Sequence, residues 1–159
     1  MGGRLMAETL GSLCDKLTVV KLKQWHTEEP ERVKSLLSQE KQLQDEINEY
    51  IAAAVSGQIQ IERLTFAANK VFKKDGNVVS EVTGTIGAVF SKLAEVNCKL
   101  WHEQEKVYDF ENVPVKDKDS VVKSLAHLNL ERTQCIDQID KQFRALIERF
   151  QGQMLSKSS

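Results

Sequence analysis

A chain of 159 residues, 41% hydrophobic and 28% charged, is long enough for one domain with a core of its own. Its net charge of −1 and pI near 6.3 leave no basic excess to neutralise phosphates, which argues against a nucleic-acid partner. No apolar run approaches the roughly 20 residues that span a bilayer, and two prolines and eight glycines are few for a loop-rich β fold.

The opening stretch, MGGRLMAETLGSLCDKL, lacks the apolar centre of a signal peptide because Glu8 and Asp15 interrupt it. Leu5 and Met6 do not supply the Ser or Thr of a myristoylation pattern. A cytoplasmic location without a membrane is the expectation. Cys14, Cys98 and Cys135 are odd in number, far apart and set in apolar stripes, so buried reduced thiols are expected rather than disulfides or a zinc site.

The first helix is expected over 8–28, with Thr9 as N-cap and Leu10, Leu13, Cys14, Leu17, Val20 and Trp25 on one side. Pro30 punctuates the chain and sits well early in the next helix, 31–56. There Val33, Leu36, Leu37, Leu43, Ile47, Tyr50, Ile51, Ala54 and Val55 form the apolar stripe, and Gly57 closes it. Residues 58–80 connect two halves of the molecule, with a short helix expected over 61–72 and a turn at the KDGN of 74–77. A third long helix, 81–108, turns Ile86, Val89, Phe90, Leu93, Val96, Leu100, Trp101 and Val107 inward. The last and longest, 117–154, carries Val121, Leu125, Leu128, Cys135, Ile136, Ile139, Phe143, Leu146, Ile147 and Phe150, spaced by threes and fours.

Shifting the chain by 76 residues lays Thr9–His26 over Thr85–His102, with 8 of 18 positions identical. The shared residues include Thr9/Thr85, Gly11/Gly87, Leu17/Leu93, Val20/Val96, Trp25/Trp101 and His26/His102. Past the hairpin tip the offset becomes 92, where DEIN (Asp45–Asn48) lies over DQID (Asp137–Asp140). A repeat at this scale marks a duplicated supersecondary unit. The expected fold is therefore all-α: a single antiparallel four-helix bundle over 1–159, built from hairpin 1 (8–57) and hairpin 2 (81–155) about a pseudo-two-fold.

Helical geometry separates the polar residues. Lys16, Lys23, Lys92 and Lys99 project away from the apolar faces and are expected in solvent. Lys21, Glu40, Asn97 and Arg132 each interrupt the middle of a stripe, with Asn129 one turn before Arg132. Buried charges are costly unless paired, so these residues are expected to form one polar layer in which Glu40 and Arg132 pair. Such a layer either fixes helix register or holds an anionic ligand on Lys21 and Arg132.

The repeated His26/Glu29 and His102/Glu105, three apart on a helix surface, suggest a metal site. Ferritin-like di-iron bundles use the reverse order, Glu-x-x-His. The carboxylate pairs Glu46/Glu49 and Asp137/Asp140 echo the ExxE spacing of all-α nucleotide pyrophosphatases, although Glu46 projects outward. Without a metal, Trp closes the core near the hairpin end and His lies near the helix C-terminus, where a cation is favoured. Neither a Ser/His/Asp nor a Cys/His triad is legible, and no Gly-rich phosphate loop is present.

Leu10–Lys23 (LGSLCDKLTVVKLK), Glu95–Glu105 (EVNCKLWHEQE) and Asn129–Asp140 (NLERTQCIDQID) together resemble an uncharacterised family of small bacterial helical proteins. That family carries G-x-x-x-D-K-L-[ST]-[IV], V-N-x-x-L-W and N-x-x-R motifs, and the match spans most of the chain outside 56–80. The resemblance marks Asp15, Lys16, Asn97, Trp101, Asn129 and Arg132. It implies no agreed activity, only frequent proximity to glycosyltransferase and surface-polysaccharide genes. His102 stands where the family has an acidic residue, which weakens the carry-over there.

Three functions follow as expectations. The first is a non-catalytic bundle that binds a partner or forms a homodimer, with no cofactor. The second is an enzyme or binding protein for a small anion, a nucleotide or nucleotide-sugar, using Lys21, Arg132, Asn97 and Asn129. The third is a metalloprotein using His26, Glu29, His102 and Glu105.

Overall fold

The computed structural model describes residues 7–66 and 82–158, and the turn expected at 74–77 lies outside them. Four α-helices follow one another: α1 (Leu10–Trp25), α2 (Pro30–Val55), α3 (Ile86–Tyr108) and α4 (Val115–Ser158). Strands are absent among the described residues, and no helix there is long and apolar enough to cross a membrane.

The ends of the helices follow from local chemistry. The Thr9 hydroxyl accepts from the Ser12 amide while the Ser12 hydroxyl accepts from the Thr9 amide, a reciprocal cap that starts α1. Thr85 caps α3 with the one-way half of that arrangement, its hydroxyl accepting from the Ala88 amide. Pro30 disfavours helical backbone at Glu29, which is extended, and itself supplies the first residue of α2. These two constraints trim the expected 8–28 helix at both ends. Gly57, with φ +81°, takes the left-handed position just past α2.

The helix expected over 61–72 is, in its described part, only a 3-10 turn at Ile61–Arg63. Leu64 follows it, fully buried, and plugs the core. Arg144 Nη1 donates to Thr65 Oγ1 at 2.9 Å, and Gln142 Nε2 to the Gly84 carbonyl at 2.7 Å, so α4 grips the chain on both sides of the connector.

Helix α1 packs against α2, α3 and α4, and α3 lies along α4, contacts that fit a bundle. The core joins Leu10, Leu13, Cys14 and Val20 of α1 to Leu43 and Tyr50 of α2, Val89 and Leu93 of α3, and Cys135, Ile139, Phe143 and Ile147 of α4. Each such side chain, fully removed from water, stabilises the fold by roughly 1.5–3 kcal/mol.

Several apolar residues depart from the expected stripes. Trp25 is 86% exposed, because α1 ends there and carries the ring beyond the core. Cys98 is exposed because it lies two residues, about 200°, round the helix from buried Val96. Cys14 and Cys135 are buried, and desolvation pushes their thiols up to about 12 and about 11. On α4, Ile147 is buried while Leu146 and Phe150 are exposed.

Candidate functional site

Two of the residues expected in the polar layer meet in the interior. Asn97 of α3 is buried, and Arg132 reaches the same place from α4. Between them lies Asp15 of α1, only 4% exposed. Arg132 grips this carboxylate with both arms of its fork, Nε donating to Oδ1 at 2.8 Å and Nη2 to Oδ2. Asn97 Nδ2 donates to the same Oδ1 at 3.0 Å and to Thr18 Oγ1 at 2.7 Å. The Thr18 hydroxyl in turn donates a hydrogen bond to the Asp15 backbone carbonyl at 2.7 Å.

Three helices are thereby tied through one carboxylate. Its hydrogen bonds raise the Arg132 pKa further, against the opposing effect of burial. The Asp15 side chain is 5% exposed and that of Arg132 36%, so the pair lies at the edge of the core with its cation partly wet.

The other members of the expected layer lie elsewhere. Lys21 is exposed and pairs with Glu40 at 3.0 Å, while Gln24 Nε2 donates to the second Glu40 oxygen at 2.8 Å. Glu40 therefore pairs with α1 and not with Arg132, whose fork Asp15 already occupies. The physical reason is that α2 packs against α1, so Glu40 meets the outer flank of that helix. The hydrogen bonds from Gln24 and then Lys21 hold its carboxyl below the usual range. Asn129 is exposed, and its backbone carbonyl accepts from the Thr133 hydroxyl.

Asp15 escaped the stripe reading because it stands beside the apolar face, next to Cys14. A signal was present nonetheless. Gly11, Asp15 and Thr18 recur at four and three residues, a second stripe of small and polar side chains on the same helix. The Gly-x-x-x-Asp-Lys-Leu stretch of the family resemblance includes the first two.

A second buried acid, Asp140, lies under the start of α1. Its Oδ1 accepts from the Gly11 amide at 2.7 Å, and the Thr9 side chain also bonds it. It therefore satisfies one of the unpaired first-turn amides from another helix. Burial pushes its pKa up to about 6 despite those bonds, and Asp137 adds to the rise. The Tyr50 hydroxyl is buried with no hydrogen-bond partner among the described residues, and burial and the Asp140 charge push it up to about 12. A Cβ on Gly11 would stand 2.5 Å from the Ile136 carbonyl oxygen and 2.8 Å from Asp140 Oδ1. The two backbones touch here, and only glycine permits it.

The repeated His and Glu residues do not assemble as ligands. The His26 ring stacks on Trp101, centroids 4.6 Å apart and planes at 22°, and its Nδ1 lies 2.7 Å from the Leu22 carbonyl. Trp101 Nε1 donates to Glu105 Oε1 at 2.8 Å, and His102 lies 4.0 Å from the other oxygen of that carboxylate. Glu29 is the N-cap of α2 and makes no side-chain cap bond. Among the described residues no group of three His, Cys, Asp or Glu is placed to hold a metal. Of the ExxE-like pairs, Asp140 is committed to the start of α1.

No family model matches the chain, and no curated protein or solved structure shows significant similarity to it.

Proposed function

We propose that this protein is a cytoplasmic, non-catalytic helical bundle that works through a protein–protein surface, and that its first partner is a second copy of itself. One observation carries this reading. At the end of the bundle where Tyr50 meets Phe143, α4 exposes Leu146, Phe150 and Met154 at four-residue spacing, with Leu155 beside them. Ile51 and Val55 of α2 are exposed at the same end. Apolar surface gathered in this way on a monomer marks a contact site.

A second copy suits the site because α4 has 44 residues against 23 in α3, about 30 Å more helix at 1.5 Å per residue. Two such overhangs laid side by side pair apolar stripe with apolar stripe across a two-fold axis. The buried polar cluster supports a non-catalytic role, since Asp15 and Arg132 are spent on one another and Asn97 on Asp15 and Thr18. An anionic ligand at that layer has lost its main cation.

The same reading takes the four helices as two antiparallel hairpins of one duplicated unit in a single domain, in keeping with the resemblance to bacterial helical proteins. In its favour, Thr9 and Thr85 cap their helices through the amide three residues on, and Leu13/Val89 and Val20/Val96 are buried in both copies. The short turn between α1 and α2 favours antiparallel neighbours.

Sedimentation velocity tests the self-association. The 18.0 kDa chain is expected to sediment at twice its mass near 100 µM, while Phe150→Glu and Met154→Glu keep full helicity and sediment as monomers. A wild-type monomer at that concentration would refute the reading.

A further inference from the structure

The far end of α1 from that stripe carries a cleft of about 560 Å³, within the roughly 300–1,000 Å³ of small-molecule sites. Three helices line it: Lys23 of α1 with its C-cap His26, Arg32 of α2, and Trp101 and Tyr108 of α3. Lys23 and Arg32 have no ion-pair partner among the described residues, as is also true of Lys34, Arg63 and Lys116; what sets these two apart is that both line one cleft. The acidic lining residue is Glu105, whose carboxylate is already engaged by the Trp101 indole. Glu28, Glu29 and Glu31 of the adjoining turn do not line the cleft.

The aromatic residues have no role in the core. Tyr108 is 83% exposed, two turns along α3 from Trp101, and His26 stacks on one face of the Trp101 indole. α2 begins beside the cleft with no side-chain cap on its first amides, which leaves backbone donors free there, while Glu29 and Glu31 at the same terminus offset its positive potential. Two cations on one cleft favour a compact dianion over a single carboxylate, and the aromatic rings of Trp101 and Tyr108 in its lining favour a planar ring.

We propose that this cleft binds a phosphate-bearing planar ring, of the chemical class of a nucleoside monophosphate, with the phosphate on Lys23 and Arg32 and the ring against Trp101 and Tyr108. The site is separate from the buried layer around Asp15 and independent of self-association at the other end of the bundle.

The test uses Trp101 as reporter in a Trp25→Phe background, which removes the other indole, itself in solvent. Titration with AMP is expected to quench Trp101 saturably below about 1 mM, with adenosine alone and inorganic phosphate alone each about tenfold weaker or more. Lys23→Gln with Arg32→Gln is expected to weaken AMP by a similar factor with the far-UV spectrum unchanged, since both side chains are exposed. The proposal is overturned if AMP gives no saturable change up to about 5 mM, if inorganic phosphate or adenosine binds as tightly as AMP, or if the double variant binds AMP as the parent does.

Discussion

Gly11 and Gly87 align when the sequence is shifted by 76 residues, and their surroundings differ completely. A Cβ at Gly11 collides with the Ile136 carbonyl and the Asp140 carboxylate, whereas a Cβ at Gly87 meets nothing within 4 Å. Gly11→Ala is therefore expected to lower stability by roughly 2 kcal/mol or more, because a packed backbone has to move. Gly87→Ala is expected to be neutral or stabilising by up to about 1 kcal/mol, through the lower entropy of the unfolded chain. Urea unfolding of both variants decides it, and equal losses would show that the close contact of α1 and α4 is not confining. Beside Gly11, Asp140 makes stability depend on pH. Its folded pKa of about 6 lies above the ordinary 3.8, so the folded state holds a proton there that the unfolded chain has released. The contribution is full below about pH 4 and is lost as pH rises through about 6, on the order of 2 kcal/mol in all. The Thr9 and Gly11 donors moderate it and Asp137 strengthens it. Asp140→Asn keeps an acceptor for the Gly11 amide and removes the ionisation. Measured against wild type, the variant is expected to gain relative stability between pH 4.5 and 7.5. A constant difference across that range would rule out Asp140 as the source.

The elements depend on one another more than their lengths suggest. At 16 residues α1 is marginal as an isolated helix, and packing against three neighbours is what holds it. Asp15 is the one residue of α1 whose side chain bonds both α3 and α4, beside the Thr18 tie to α3 and the Gly11 tie to α4. Arg132→Met leaves the Asp15 carboxylate with Asn97 as its remaining side-chain donor, and is expected to cost roughly 3 kcal/mol. That is the low end for a broken buried pair, because water already reaches part of the Arg132 side chain. Replacing both partners, Asp15→Leu with Arg132→Met, is expected to cost less than Arg132→Met alone, since no buried charge is stranded. Chemical denaturation of the three proteins tests this, and an Arg132→Met protein as stable as wild type would contradict it. Much of this level was legible in the sequence. The N-cap at Thr9, the break at Pro30 and the closing Gly57 are local choices of the chain, whereas the expected start at 81 gave way to a cap at Thr85 and α1 ends at Trp25, short of the expected 28. Asn97 and Arg132 were legible as inward polar residues because each interrupts an apolar stripe. Asp15 was not, because it sits on the flank of its stripe, and only a third and fourth helix turn that flank into interior.

In the whole molecule, self-association would make stability depend on concentration. If a second copy covers Leu146, Phe150 and Met154, the melting temperature of the wild type rises with protein concentration and that of Phe150→Glu does not. The outcome separates a partner surface from an apolar patch that merely tolerates water. At this scale the sequence determined the class of fold: long amphipathic runs, few breakers and a repeated segment allow little besides packed helices. It also determined that the interior would carry polar residues, since unpaired ones would be too costly to keep. The tertiary structure decided which charges meet. Glu40 joined Lys21 and not Arg132, because α2 packs on the outer flank of α1 and Asp15 fills the guanidinium fork. It also brought His26 of α1's C-cap onto Trp101 of α3, and set Lys23 and Arg32 beside them without an ion-pair partner among the described residues. Periodicity assigns a residue to a face of its own helix, but the residue it meets there depends on how separate helices cross, and that is settled by packing between distant parts of the chain.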